Sequence, residues 1–268
     1  MQDKNQAKPL KDPMLIALRW IKITSVALVA LILVILFVKN LWIRIACAIV
    51  AVAILGFLYV AARGCLGPLV PVAMWGYGRQ FRKNYGKRPA GEIVFYGASN
   101  FTLWKTLEED MAPYHAQNHG FGGSNDKLLM AQAEKFLYPY KPSVVFLQTG
   151  SNDNVGGLTL EQIMENKKKM YATFHEHLPD AKFVVMSGLP LPGRPMHWEN
   201  INKLNQFLED YCSKLDYLEF INATPFMMKD GNFRPEYYVK DGVHLNADGH
   251  EQWTAAMKKK LEEMGIKP

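Results

Sequence analysis

Two long apolar segments without charged residues stand near the start of the chain, ITSVALVALILVILFV and IACAIVAVAILGFLYVAA. Each approaches the roughly 20 residues that a helix needs to cross a bilayer. We predict two transmembrane helices over about residues 20–38 and 43–62, joined by a short turn into a tight hairpin. Residues 1–63 are therefore interpreted as a membrane anchor.

Basic residues surround the hairpin and are sparse inside it, which predicts its orientation. Only Lys39 and Arg44 lie between the two segments. The basic residues on either side are Lys4, Lys8, Lys11, Arg19, Lys22, Arg63, Arg79, Arg82, Lys83, Lys87 and Arg88. The positive-inside rule places both ends of the hairpin, and the domain that follows, in the cytoplasm. Two alternatives stay open: a single anchor with that domain outside the membrane, and a secretory signal peptide, which the second apolar segment disfavours.

A basic and aromatic segment follows the hairpin, with the sequence GPLVPVAMWGYGRQFRKNYGKRPAG. We interpret residues 64–91 as a linker at the membrane interface, with Trp75, Tyr77, Phe81 and Tyr85 at the level of the lipid headgroups. The alternative is a solvated tether without a preference for lipid.

After residue 91, short apolar runs alternate with helical patterns, which is typical of a parallel sheet covered by helices on both faces. Residues 92–268 are therefore predicted to form one α/β domain. Asp248 is the predicted N-cap of the last helix. The five predicted strands are EIVFYG (92–97), AQNHGF (116–121), SVVFLQTG (143–150), KFVVMSGL (182–189) and LEFINA (218–223).

Composition and charge narrow the class of protein. The 268 residues suffice for one substantial core beside a small appendage. Much of the formal net charge of +6 lies beside the apolar segments, which favours a membrane surface over nucleic acid as an anionic partner. Cys47, Cys65 and Cys212 are far apart in sequence, so neither a zinc site nor a disulfide framework is predicted.

Small and polar residues follow the predicted strands, where an open parallel sheet binds its ligands. Ser99 follows the first strand, Gly123 the second and Asn152 the third. Asp241 and His244 follow the fifth strand at a spacing that lets one loop present both side chains. These residues are expected to meet at one edge of the sheet.

Ester hydrolysis through serine needs a hydroxyl, an imidazole, a carboxylate and donors for the oxyanion. Ser99 is the candidate nucleophile, His244 the general base and later acid, and Asp241 the group that orients His244. The N–H groups of Ser99 and Gly123, with the side-chain amide of Asn152, are the candidate oxyanion hole. Taken singly, each residue has a structural explanation, such as a helix cap or a turn. Their joint order favours catalysis.

Two other glycine motifs do not match. GFGGSN lacks the third glycine of the dinucleotide-binding pattern GxGxxG. GASNF lacks the last glycine of GxSxG, which argues against the nucleophile elbow of α/β-hydrolases.

Four sequence blocks, in order, resemble the SGNH, or GDSL-type, hydrolase family: FYGASNFTLW, NHGFGGSN, GSND and DGVHLN. The resemblance covers roughly two thirds of the chain, from about residue 92 to the end. It implies a flavodoxin-like three-layer α/β/α sandwich with five parallel strands and no metal or organic cofactor. The residues it assigns are Ser99, Asp241 and His244 as catalytic, and Ser99, Gly123 and Asn152 as oxyanion contributors.

One position departs from the family pattern, since Gly-Asp-Ser reads Gly-Ala-Ser here. Ala98 replaces the usual Asp at a position that the triad does not use. We therefore expect a change in local loop hydrogen bonding and retained catalysis.

The resulting functional hypothesis is a membrane-anchored serine esterase or acylhydrolase that cleaves carboxylic esters, lipid-derived or acetyl, through an acyl-enzyme. The loop LPLPGRPMHWENIN follows the fourth strand on the same side, so Arg194, His197 and Trp198 are candidate substrate contacts. An acyltransferase with the same triad and a non-catalytic binding module are the alternatives. Neither nucleic acid nor an obligate protein partner is predicted.

Overall fold

The structure is a computed structural model that describes residues 13–62 and 70–268. It contains two compact units, Asp12–Arg79 and Gln80–Pro268. Cys65 and several of the basic residues used to predict orientation lie outside the described residues.

The smaller unit contains a helical hairpin at the two predicted apolar segments. Helix α1 (Pro13–Phe37) packs against helix α2 (Leu41–Ala62). The turn between them ends at Asn40, whose side-chain Oδ1 accepts hydrogen bonds from the N–H groups of Trp42 at 3.0 Å and Ile43 at 3.2 Å. Asn40 therefore caps the first turn of α2 and fixes where this helix begins.

Many large apolar side chains of the hairpin are exposed. They are Ile23, Val26, Val29, Ile32, Leu33, Leu36, Phe37, Leu41, Trp42, Ile43, Ile45, Ile49, Val50, Val52 and Leu55. Among the residues that the structure describes, no helix combines the length and the apolar character needed to cross a membrane, so the two predicted transmembrane helices are not confirmed.

The predicted linker is largely helical, because helix α3 spans Val70–Tyr85. The rings of Phe81 and Tyr85 are buried and stack on the imidazole of His119, with centroids 4.7 Å and 5.0 Å away. Their expected position at the lipid headgroups is therefore wrong, since both rings belong to the core of the larger unit. Tyr77 is buried as well, whereas Trp75 is exposed.

The larger unit is built on a parallel sheet of five strands in the order β2-β1-β3-β4-β5. All five strands fall inside the predicted segments, so the five-stranded parallel sheet is confirmed. They are β1 (Ile93–Gly97), β2 (Ala116–Asn118), β3 (Val144–Gln148), β4 (Lys182–Met186) and β5 (Leu218–Ile221). Strand β1 lies between β2 and β3, and in register its Ile93 pairs with Ala116 of β2 and Val144 of β3.

Helices cover both faces of the sheet. They are α4 (Ser99–Leu103), α5 (Leu107–Met111), α6 (Asp126–Phe136), α7 (Ser151–Val155), α8 (Leu160–His177), α9 (Trp198–Cys212), α10 (Thr224–Met227) and α11 (Ala247–Glu263). On one face, Phe95 packs edge-on against Phe101 and Trp104, at centroid distances of 5.3 and 6.0 Å. On the other face, Tyr96 packs against Phe174 of α8 and donates to the Leu129 carbonyl of α6. Successive strand residues thus enter opposite cores, which makes the sandwich three-layered.

Two local features differ from the predictions. A small antiparallel hairpin, β6 (Met228–Lys229) and β7 (Asn232–Phe233), follows α10 and was not predicted. The N-cap of α11 is Asn246, because its side chain accepts from the N–H of Gly249 at 3.0 Å. The prediction of Asp248 as the cap is therefore wrong, and Asp248 lies in the first helical turn.

Candidate active site

Ser99 opens helix α4 directly after strand β1. The N-cap is the preceding Ala98, which makes no side-chain capping bond. The N–H of Ala98 donates to the Gln148 carbonyl at 3.2 Å, which ties the end of β1 to β3. The hydroxyl of Ser99 is thus not used as a helix cap and points to another partner.

That partner is His244, in the loop before α11. Ser99 Oγ lies 2.8 Å from Nε2 of His244, and Nδ1 of the same ring lies 2.7 Å from Oδ2 of Asp241. The three side chains therefore form one continuous chain of hydrogen bonds. Asp241 Oδ1 accepts from the N–H groups of Val243 at 2.8 Å and His244 at 3.0 Å, so the loop itself orients the carboxylate.

The environment of Asp241 keeps its carboxylate ionised. Partial burial acts to raise the pKa of Asp241, but the hydrogen bonds from the His244 ring and from the His244 and Val243 amides outweigh it and lower the pKa overall. An ionised carboxylate at Nδ1 favours the tautomer in which Nδ1 carries a proton and Nε2 is free to accept one from Ser99.

Two contacts fix this loop against the neighbouring turns. The N–H of Leu245 donates to the side-chain Oδ1 of Asn100 at 3.1 Å, which joins the histidine loop to the serine helix. The N–H of Gly193 donates to the Gly242 carbonyl at 2.9 Å, and a Cβ atom at 193 would come within 2.1 Å of the Asp241 carbonyl oxygen. Glycine at 193 is therefore required by the close approach of two backbones.

A small cavity of about 40 Å³ lies in front of Ser99 and His244. The predicted oxyanion residue Asn152 and the loop residue Arg194 both line it. The complete lining is Ala98, Ser99, Asn100, Ser124, Gln148, Thr149, Gly150, Ser151, Asn152, Leu189, Leu191, Arg194, Val243 and His244.

Not all of the predicted site residues line this cavity. Gly123 is not in its lining, although the next residue, Ser124, is. Gly123 has a φ of +75°, a backbone conformation that favours glycine at this position, and a Cβ there would meet no other atom within 4 Å. His197 and Trp198 do not line the cavity, and the Trp198 ring packs edge-on against Phe233 at 6.1 Å.

Asn152 is held by a neighbouring turn. Its Nδ2 donates to the carbonyl of Ser124 at 2.8 Å, so the turns after β2 and β3 are joined. Because an amide nitrogen carries two N–H groups, a second donor on Asn152 remains for a ligand in the cavity.

A buried cluster of charged and polar groups lies next to these turns. The Nζ of Lys167 is 2.8 Å from Oδ1 of Asp126, with their side chains 2% and 0% exposed. Thr149 Oγ1 also bonds both of these groups. Asp153 accepts from the N–H of Asp126 at 3.3 Å with each of its oxygens. Burial, together with the charge of Asp126, raises the pKa of Asp153 to about 6, against the opposing effect of Lys167.

Sequence reasoning missed three residues that build the site: Asn100, Gly193 and Lys167. The first two lie in segments that the sequence singled out, but nothing in those segments indicates their role, because each acts through a contact between separate turns. The sequence does contain an indication that Lys167 is buried, because this residue falls at helical spacing with Ile163 and Met170 on the buried side of α8. It lies in a run of three lysines, however, and lysine is rarely fully buried.

The described residues contain no group of three or more His, Cys, Asp or Glu side chains that could hold a metal ion. A hydroxyl, an imidazole and a carboxylate in one hydrogen-bonded chain, at the carboxyl edge of a parallel sheet, are the arrangement that serine hydrolases share across unrelated folds.

Comparison with known proteins identifies the family. The chain belongs to the GDSL-like Lipase/Acylhydrolase family, whose model matches residues 84–252. This finding confirms the family that the four sequence blocks resemble.

Individual relatives are distant. N-acylneuraminate cytidylyltransferase of Streptococcus agalactiae is 24% identical over 176 residues, which make up 66% of this chain and 38% of that relative. The chain therefore spans well under half the length of this relative. Platelet-activating factor acetylhydrolase IB subunit alpha1 of Homo sapiens is 28% identical over 165 residues, covering 59% of this chain and 70% of that protein.

The fold also matches solved structures. A structure described as a platelet activating factor from Streptococcus pneumonia aligns with a TM-score of 0.65 at 20% identity, over 75% of this chain and 99% of that one. At this identity, the likeness concerns the fold alone.

Proposed function

We propose that this protein is a serine esterase or acylhydrolase that cleaves carboxylic esters through an acyl-enzyme on Ser99. The observation that carries the proposal is the hydrogen-bonded chain from Ser99 Oγ through His244 to Asp241. Membership in the GDSL-like Lipase/Acylhydrolase family supports the same chemistry.

The proposed reaction has two steps. Ser99 Oγ attacks the ester carbonyl carbon while its proton passes to Nε2 of His244, and the protonated imidazole then gives that proton to the leaving alcohol oxygen. Water, deprotonated by His244, attacks the acyl-enzyme in the second step, and the proton returns to Ser99 as the acid leaves. Asp241 stays ionised and stabilises the imidazolium that forms in each step.

The oxyanion donors in this proposal are the N–H groups of Ser99 and Gly123 and the amide of Asn152. Ser99 is in the first turn of α4, where backbone N–H groups have no partner within the helix. Asn152 lines the cavity and is held in place by the Ser124 carbonyl. Such preorganised donors stabilise the negative charge that develops on the carbonyl oxygen.

The size of the cavity favours a short acyl group such as acetyl. A volume of about 40 Å³ holds roughly three water molecules, at about 10–15 Å³ for each. The human relative is an acetylhydrolase by name, which agrees with this substrate class.

Activity on p-nitrophenyl esters of increasing acyl length tests the proposal, together with labelling by a fluorophosphonate probe. We expect hydrolysis of the acetate, labelling of Ser99, and loss of both in Ser99→Ala by several orders of magnitude. Asn152→Ala should lower kcat about 10²–10³-fold while labelling persists at a reduced rate. The exposed Ser213, whose hydroxyl bonds the Asp210 carbonyl, provides the control Ser213→Ala. Full activity in Ser99→Ala would overturn the mechanism.

We also propose that the helical hairpin anchors the protein in a membrane, with the catalytic domain in the cytoplasm. The exposed apolar side chains of α1 and α2 and the basic residues outside the hairpin support this proposal. Extraction of membranes with alkaline carbonate and with detergent tests it, because an anchored protein is released only by detergent. A reporter fused after Gly91 should be active only in the form that works in the cytoplasm, and an active periplasmic reporter would refute this orientation.

A further inference from the structure

Arg194 brings a positive charge to the cavity in front of Ser99. Among the described residues that line this cavity, it is the one with a permanently charged side chain, and no carboxylate lines the cavity with it. The side chain is half-buried. A reacting ester in this cavity would therefore lie beside a guanidinium group.

Contacts within the protein take up only part of the hydrogen-bonding capacity of the Arg194 guanidinium. Its Nη1 donates to Oγ of Ser151 at 3.2 Å, and no Asp or Glu in the described part of the chain lies within ion-pair distance of it. Because a guanidinium carries five N–H donors in a rigid fork, most of its donors remain for a ligand. A half-buried cation without an opposite charge costs free energy that a bound anion recovers.

The backbone that carries Arg194 is held rigidly against the catalytic loop. Gly193 packs directly on Asp241 and Gly242, as the bond of 2.9 Å between Gly193 N and Gly242 O shows. The N–H of Arg194 donates to the Leu191 carbonyl at 2.9 Å, which closes a tight turn. The backbone at Arg194 is therefore fixed against the loop of Asp241, and the side chain lines the same cavity as His244, so binding an anion there requires little reordering of the loop backbone.

We propose that the substrate is an anionic ester, whose carboxylate or phosphate group pairs with Arg194 while its short acyl group reacts at Ser99. This inference rests on the proposed esterase function and names the substrate class for that site. A planar guanidinium suits both carboxylate and phosphate, since it can bond two oxygens of either group side by side.

Matched acetate esters test the proposal on the full-length protein in detergent. 4-Acetoxybenzoate is anionic, and 4-acetoxybenzamide has nearly the same shape without the charge. 4-Acetoxyphenyl phosphate presents the other anion, so the three substrates separate carboxylate from phosphate. The readout is the ratio of kcat/KM for each anionic ester to kcat/KM for the amide.

We expect the wild type to favour at least one anionic ester, and Arg194→Gln to lower that ratio by about 10–100-fold, the usual effect of losing a charge-assisted hydrogen bond. Arg194→Lys should restore part of the ratio. Arg82→Gln removes an exposed arginine outside the cavity and should leave the ratio unchanged. Added salt should lower the wild-type ratio more than that of Arg194→Gln.

The outcomes separate this inference from the proposed function. A wild type that hydrolyses all three esters with the same ratio as Arg194→Gln overturns the anionic substrate and leaves the esterase intact. A wild type that hydrolyses none of them and is not labelled at Ser99 overturns the esterase and, with it, this inference.

Discussion

Removing the buried charge of Lys167 should destabilise the larger unit strongly. Lys167→Met keeps the length of the side chain but deletes the ammonium that lies 2.8 Å from Asp126 Oδ1. The variant would leave the Asp126 carboxylate without its cation, in a residue whose N–H bonds the carboxylate of Asp153. The other oxygen of Asp126, Oδ2, already has no hydrogen-bond partner among the described residues, and the neutral hydroxyl of Thr149 would remain as a side-chain donor to Oδ1.

The size of the effect follows from this burial. Removing one partner of a buried ion pair typically costs about 3–5 kcal/mol, which for a unit of this size lowers Tm by about 6–20 °C. The cost should be greater near pH 8 than near pH 5. Because the pKa of Asp153 is raised to about 6, this carboxyl is mostly protonated at the lower pH and adds no second charge.

Urea unfolding followed by tryptophan fluorescence measures the loss, since Trp104 and Trp253 are buried in the larger unit. The neighbouring Lys168 provides the control, because it is 41% exposed and pairs with Glu165 on the surface. Lys168→Met should change the unfolding free energy by less than about 1 kcal/mol. A similarly small change in Lys167→Met at pH 8 would refute the reasoning, because it would mean that water reaches the cluster.

Two further changes test the same region and the catalytic loop. Asp153→Asn should flatten the pH dependence of stability. Because the folded-state pKa of about 6 exceeds the ordinary 3.8, the wild-type unfolding free energy falls by on the order of 3 kcal/mol as pH rises from the lower pKa to the higher one. Urea unfolding near pH 4 and near pH 7 should show a smaller difference in unfolding free energy in the variant than in the wild type. Gly193→Ala should lower kcat/KM about 10–100-fold, because the added Cβ would displace the Asp241 carbonyl oxygen. Gly231→Ala is the control: Gly231 has a φ of +76° and no atom lies within 4 Å of the added Cβ, so this variant should lose stability and keep its esterase activity. An unchanged slope in the first variant, or unchanged kinetics in the second, would contradict these predictions.

The sheet was predictable from sequence because its strands are buried on both faces. Such strands read as short continuous apolar runs, and VVFLQ and KFVVM carry that signal without help from distant residues. The segment before the sheet was harder to interpret. Phe81 and Tyr85 look like interfacial aromatics in sequence, and only the approach of His119, directly after strand β2 and more than thirty residues later, turns them into core residues.

The candidate site was predictable to the extent that each functional group follows its own strand. Ser99, Asn152 and His244 come from three separate turns, and the fold brings all three to one small cavity. Lys167 could not be placed in the same way, because a lysine run on an amphipathic helix normally faces solvent and the sequence does not show which acid it meets.

What holds the site together is a set of contacts between turns, none of which belongs to a single motif. Asn100 joins the serine helix to the histidine loop, and the Asn152 side chain joins the turns after β2 and β3. Gly193 packs the loop after β4 against the loop that contains Asp241. Because every turn is held by another, the distance from Ser99 to His244 depends on all of them together. The four sequence blocks are therefore informative as an ordered set, whereas each block alone would predict only a turn.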